Sequence, residues 1–355
     1  FVSTLSIGTV SADPPDPGNG DTLTDWEESA WEKETEILDS IQEPTIPDRD
    51  YVITDFGAVG DGTADARPAI LAAIEKANAE GGGRVVLPEG TWFSKGPIHL
   101  KSNVNLHVSE DALLLFSEDP DDYLPQVFQR WEGVEIYNYS PLIYAYDVEN
   151  VAITGHGVID GNAENGFGTW RPKQKRSKGH EMGAEQVPVK ERVFGEEDYI
   201  RPSMIQIMEA ENLLIEDVTI KESPFWIVHP TYSNNIIVRD LTIKSFRLNN
   251  DGIDIDSCTN VLIENNDIHT GDDAIVVKSG RDQDAWRVDR PSENIIIRNN
   301  TMRGHNALAI GSEMSGGVQT VLMYDNDLAD VKNGIYFKSN PDRGGYIKNV
   351  WVRDR

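Results

Sequence analysis

The chain has 355 residues, long for one compact globule but natural for an elongated solenoid that grows coil by coil. Sixty Asp and Glu against 32 Lys and Arg give a formal charge of −28, which argues against a nucleic-acid partner, because such binding begins by neutralising phosphates. The one cysteine, Cys258, excludes an intrachain disulfide and a Cys-based zinc site, and no run approaches the ~18 consecutive apolar residues of a membrane span.

Taken in order, Phe1 to Ala12 resembles the end of a secretory signal with a small-residue cleavage site, so a secreted or periplasmic location is expected. Residues 1–20 form a leader, Pro-, Gly- and Asp-rich from Ala12 onward and expected to be flexible. Residues 21–49 form an acidic helical segment: Trp26, Ala30, Ile37, Leu38 and Ile41 fall near helical spacing, and Pro44 and Pro47 stop it. A main domain runs from 50 to 355. Tyr51 to Phe56 reads as a strand, Gly57 to Gly62 as a turn without the lysine or spacing of a phosphate-binding loop, and Arg67 to Ala79 as a helix. Pro68 sits in that helix's first turn, Gly81-Gly82-Gly83 ends it, and Ile70, Ile74 and Ala77 form its apolar face. Val350 to Arg355 reads as a strand broken off, so further sequence is expected at both ends.

From Arg84 the apolar period is two, in short runs separated by Asn, Gly and Asp. An asparagine followed by alternating apolar residues recurs at Asn150, Asn212, Asn235, Asn260 and Asn294, with fainter copies at Thr320 and Asn349. From Asn212 the steps are 23, 25, 34, 26 and 29 residues, a constant strand with turns of variable length. That pattern is a solenoid with loops on one edge, and almost no helical period interrupts it, so a doubly wound fold is not expected. The repeated asparagines are expected to stack at coil corners rather than to act chemically. Gly161 to Tyr199 breaks the pattern and carries a positive patch from Trp170 to His180.

Two acidic turns stand out, Asn249-Asn250-Asp251-Gly252 and Gly271-Asp272-Asp273, with the aspartates 21 and 22 residues apart and an apolar strand from Val261 to Ile268 between them. One coil of a repeat fold takes ~20–45 residues, so Asp251, Asp272 and Asp273 are expected side by side on neighbouring coils. Crowded carboxyls suit either cation binding or acid–base work, in which one stays protonated for a leaving group while another activates water. Further along, His305 follows Gly304, Lys338 follows Tyr336-Phe337, and Arg343 precedes Gly344-Gly345. Candidate substrate contacts are Lys338 and Arg343, for holding an anionic sugar, with Asn249, Tyr336 and Lys278 beside the acids.

This ordered set resembles the family 28 glycoside hydrolases, the polygalacturonases and their relatives. It matches their Asn-Thr-Asp, Asp-Asp, Gly-His-Gly and Arg-Ile-Lys elements as Asn249-Asn250-Asp251, Gly271-Asp272-Asp273, Gly304-His305-Asn306 and Tyr336-Phe337-Lys338. Asp55 to Gly62 and Ile153 to Gly161 look like the same family. The resemblance implies an all-β fold, a right-handed parallel β-helix of the pectin-lyase type with a short N-terminal helical cap, a role Arg67–Ala79 can fill. It also implies hydrolysis with inversion of α-1,4-galacturonosyl linkages in a pectic polysaccharide or oligogalacturonide, with no metal and no other cofactor, by a monomer. Asp272 would be the general acid, Asp251 and Asp273 would activate water, His305 would support the acid, and Lys338 would bind substrate. Asn306 replaces a glycine and Tyr336 an arginine that helps grip galacturonate, so the expectation is either that Arg343 stands in or that the subsite accepts another sugar such as that of rhamnogalacturonan. Ile310 to Gly317 looks like the bacterial, often exo-acting branch, and the insert around Trp170 could block one end of the groove. The competing expectations are a calcium-dependent pectate lyase and a non-catalytic polysaccharide-binding β-helix.

Overall fold

The computed structural model describes residues 23–353; the leader expected over 1–20 and the side chain of Trp26 lie outside the described residues. Alternation of apolar and polar residues winds residues 50–353 into a right-handed parallel β-helix, the hand that parallel crossovers adopt almost without exception. The strands join in one ladder of 23, each pairing in parallel with its counterpart one coil on. Three stacks result, marked by Ile253↔Ile275 and Leu308↔Ile335, by Val238↔Ile263 and Ile297↔Met323, and by Ile243↔Ile268. Successive side chains point to opposite faces, so Ile253 and Ile255 fill the interior while Asp254 and Asp256 of the same strand face out.

The corner asparagines stack as expected. Asn150, Asn212, Asn235, Asn260 and Asn294 all take positive φ, and the amides of Asn212 and Asn294 donate to Asn150 and Asn260 one coil back, both at 3.0 Å, while that of Asn260 donates to Asn234 at 3.0 Å. A second ladder, Asn266 to Asn300 at 2.8 Å and Asn300 to Asn326 at 3.0 Å, breaks the single strand expected from Val261 to Ile268 into Thr259–Glu264 and Asp267–Thr270. The strand expected over Tyr51–Phe56 also shortens, to Asp50–Val52, because Ile53–Phe56 turns as a 3-10 helix under the cap.

Helix α1 spans Leu23–Ser40 and helix α2 spans Arg67–Ala79, the latter as expected. Ala69, Ile70, Ala73, Ile74 and Ala77 of α2 are buried over the first coil, covering edges that would otherwise invite pairing. Helix α1 instead lies along the barrel. Its Ile37 packs on the outward-facing Leu262, Ile296 and Leu322, and the following Ile41 and Ile46 continue onto Ala152, Leu214 and Ile237. Gln42 locks the strap through two 2.9 Å hydrogen bonds with the Asn235 side chain.

The insert carries no strand, as expected, but 3-10 turns and a short helix α3, Arg176–Ala184. It packs on an antiparallel hairpin, Val127–Trp131 with Val134–Asn138, that the period-two pattern did not distinguish from coil strands. The two share a small core of their own, built from Trp131, Val134, Ile136, Phe194 and Ile200 against Phe225 and Trp226 of the barrel.

Candidate active site

Backbone hydrogen bonds between coils bring the two acidic turns and the histidine turn to one edge. Gly252 N donates to Asp273 O at 2.9 Å, His305 N to Asp272 O at 2.8 Å, and Ala274 N to Asn306 O at 2.8 Å. Gly252 is obligatory in this stack, since a Cβ there would lie 2.4 Å from the Ala274 carbonyl oxygen. Asn250, which sequence reasoning passed over, sets the first turn. Its Oδ1 accepts from Ser245 Oγ at 2.7 Å and Arg247 N at 2.8 Å, and its Nδ2 donates to the carbonyls of Ser223 and Phe225.

The carboxyls differ in access. Asp251 and Asp273 are buried, Asp272 is half-buried, and His305 is 46% exposed at its side chain. Asp273 is saturated with donors: Asn306 Nδ2 and Lys338 Nζ each donate to one of its oxygens, and His305 Nδ1 stands 3.6 Å from Oδ1. Lys332 Nζ approaches the other His305 nitrogen at 3.4 Å. Burial, then the Asp254 and Asp272 carboxyls, push Asp251 well above the ordinary carboxylate range, with Lys278 opposing. Asp254 is raised too, by burial and by Asp273 and Asp256 against Lys278. Asp251 Oδ1 and both Asp254 oxygens are buried without a hydrogen-bond partner. Asp256 goes the other way: burial would raise it, but Arg130 at 3.1 Å and His229 at 3.5 Å hold it low.

Two expected substrate contacts do not face the groove. Lys278 is 3% exposed, 3.6 Å from Asp254 and 3.2 Å from Glu313, and lies over the Trp226 ring. Arg343 is buried against Asp282 at 2.8 Å. Both serve as internal countercharges, and Glu313, though burial alone would raise it, is driven far below its usual range by Lys278, Arg281 and Arg343. Asn249 is tied to Arg171 and Arg201, while Tyr336, 45% exposed, and Lys338 remain on the open face.

Ligand atoms of Asp272, Asp273 and His305 come within 4.8 Å of one another, close enough for a cation. The Lys338 ammonium and the Asn306 amide already take both Asp273 oxygens, however, and calcium prefers six to eight oxygen ligands, so this donor set fits a metal poorly.

The hairpin tip, Glu132-Gly133, rests on the barrel: Arg281 N donates to Gly133 O at 3.0 Å, and Arg281 Nη1 reaches Glu313 at 3.2 Å. Gly133 takes φ 78°, and a Cβ would lie 2.8 Å from Arg281 N and 2.9 Å from Glu313 Cγ. No bulkier residue fits beneath the tip.

The profile of Glycosyl hydrolases family 28 matches residues 128–354. The chain belongs to glycosyl hydrolase family 28. A second profile, Rhamnogalacturonase A/epimerase, pectate lyase-like, matches the first coils at residues 52–107. Among family relatives the chain is 34% identical over 332 residues to a probable polygalacturonase of Vitis vinifera, with 89% of this chain and 63% of that protein covered. It is 29% identical over 329 residues to an exo-poly-alpha-D-galacturonosidase of Dickeya chrysanthemi, covering 85% and 54%. The chain thus spans between half and two thirds of the length of these relatives. The crystal structure of a hyperthermoactive exopolygalacturonase from Thermotoga maritima superposes with a TM-score of 0.88 at 46% identity, covering 90% of this chain and 75% of that one.

Proposed function

We propose that this chain carries the catalytic β-helix of a secreted, exo-acting galacturonan hydrolase that works with inversion. The observation that carries the proposal is the stacking of Asp251, Asp272–Asp273, His305 and Lys338 on four successive coils at one groove edge. Asp272, the half-buried carboxyl, donates its proton to the glycosidic oxygen as that bond breaks. A water held against Asp251 and activated by Asp273 attacks the anomeric carbon from the opposite face and leaves its proton on Asp273. Lys338 and Asn306 fix Asp273 for that task, and His305 helps hold it. The raised Asp251 and Asp254 form a store from which the acid is reprotonated after each turnover. The exo assignment is supported by the hairpin wall and by two relatives with exo-acting names. The signal-like start of the chain supports secretion.

Digestion of de-esterified polygalacturonate tests this. Reducing ends should accumulate while viscosity barely falls, with mono- or digalacturonate as the first product. A rapid fall in viscosity with mixed long oligomers would remove the exo assignment.

A further inference from the structure

The positive patch of the insert does not act as one unit. Lys178 pairs with Asp198 at 2.8 Å, and Arg176 and His180 pair with Glu132 at 2.8 and 2.9 Å. Arg171 is different. Its Nε donates to Asn249 Oδ1 at 2.9 Å, and Arg201 Nη2 donates to the same oxygen at 2.9 Å. Among the described residues neither guanidinium takes part in an ion pair, although the chain carries 60 acidic residues. Two like charges thus converge on one neutral amide oxygen. Arg201 is 1% exposed and spends its other donors on neutral acceptors, the carbonyls of Pro224 and Leu248 and the Gln174 Oε1. Burial, then the neighbouring Arg171 charge, push Arg201 down to about 9, with the more distant Glu132 and Asp251 carboxyls only partly opposing. The Gln174 Nε2, buried beside them, has no hydrogen-bond partner.

A buried guanidinium without a countercharge is costly, and a second one beside it adds repulsion rather than relief. An anionic ligand relieves both. Arg171 is only half-buried, so its remaining donors can meet such a ligand from the groove side while Arg201 supplies a fixed charge behind. Asn249 lies two residues before Asp251, at most ~7 Å along the backbone, so the amide oxygen that both arginines share belongs to the same turn as one of the proposed reacting carboxyls.

We propose that Arg171, backed by Arg201 and flanked by the Gln174 amide, is a carboxylate subsite that grips a hexuronate unit of the substrate on the insert side of the cleavage point. This rests on the galacturonan reading above and deepens it. The insert does more than obstruct: it supplies the cation that reads whether the sugar beside the wall is a free acid or an ester. A planar guanidinium suits a carboxylate through paired hydrogen bonds, whereas a methyl ester offers neither the charge nor the second strong acceptor.

The experiment compares initial rates on de-esterified and on fully methyl-esterified oligogalacturonides for the wild type, R171Q, R171K and K173Q, each checked for an unchanged melting temperature. K173Q removes the same charge from the same patch without touching Asn249. For R171Q, KM on the de-esterified substrate should rise about 10- to 100-fold, the worth of one charge-assisted pair, with kcat within about threefold. The preference for free acid over ester should shrink by a similar factor. R171K should recover part of the loss, and K173Q should match the wild type. Wild-type KM in R171Q overturns the subsite while leaving the hydrolase standing, as does a loss equal on acid and ester, the mark of a structural brace. A wild type that turns over neither substrate overturns the galacturonan reading itself, and the subsite with it.

Discussion

Asp254 has both carboxyl oxygens buried without a hydrogen-bond partner, and Lys278 at 3.6 Å only partly offsets that. The fold therefore favours its protonated form. Stability from this group is complete below the ordinary value of 3.8 and is lost as pH rises through the higher folded value. Asp254→Asn should raise the melting temperature near pH 7, and the gain should vanish towards about pH 4; equal gains at both would refute a buried, raised carboxyl. Glu313 has the opposite sign. Held far below 4.5, it contributes stability above that value and loses it as pH falls through the folded one. At Asp272, the proposed acid, Asp272→Asn should lower kcat by about 10²–10⁴-fold with the fold intact, measured by reducing-end assay and circular dichroism. Asp251, Asp272, Asp273, His305 and Lys338 were legible as a set because they recur on successive coils, one beside the next in register. Asp254 and Glu313 were not, because an outward-facing acid in an alternating strand, like Asp254, or in a polar turn, like Glu313, looks solvated. The hairpin tip packs on Glu313, and Trp226, from the coil before Asp254, lies against Lys278, the countercharge that both acids share.

At the scale of elements, the strap and the asparagine ladder do different work. The run Val261-Leu262-Ile263 is apolar on both faces, and its outward member Leu262 meets Ile37 of α1 beside Ile296 and Leu322. An apolar residue on the outer face of a coil signals that something covers it, and that clue was in the sequence; which segment covers it was not. Ile37→Ala should cost about 2–4 kcal/mol by denaturant unfolding, whereas a cost under about 0.5 kcal/mol would mean the strap is loosely held. Asn260 combines φ 56° with side-chain bonds to Asn234 and Asn294, each at 3.0 Å. Asn260→Ala should cost about 1–3 kcal/mol, from left-handed strain together with two lost bonds. The helix limits of α2 were exact because Pro68 and the triple glycine bracket it, while the hairpin went unseen because antiparallel and parallel strands share the same period.

At the scale of the molecule, the exo reading places the end of the groove at the hairpin, whose Glu132-Gly133 tip rests on Arg281 and Glu313. Gly133→Val should lift that tip and let longer oligomers appear among the products; an unchanged product ladder from a folded variant would mean the wall lies elsewhere. The repeat of the coils was legible, since repetition is a property of the sequence itself. The wall arises from residues about 150 positions apart, Gly133 and Arg281, for which no local pattern exists. The central claim is that the stacked aspartates carry out hydrolysis, and mass spectrometry of products formed from de-esterified polygalacturonate in ¹⁸O-labelled water with a chelator present tests it most directly. Saturated short products bearing one labelled oxygen at the new reducing end are expected. Unsaturated, unlabelled products, or none until calcium is restored, would instead assign Asp251, Asp272 and Asp273 to a cation and contradict the account.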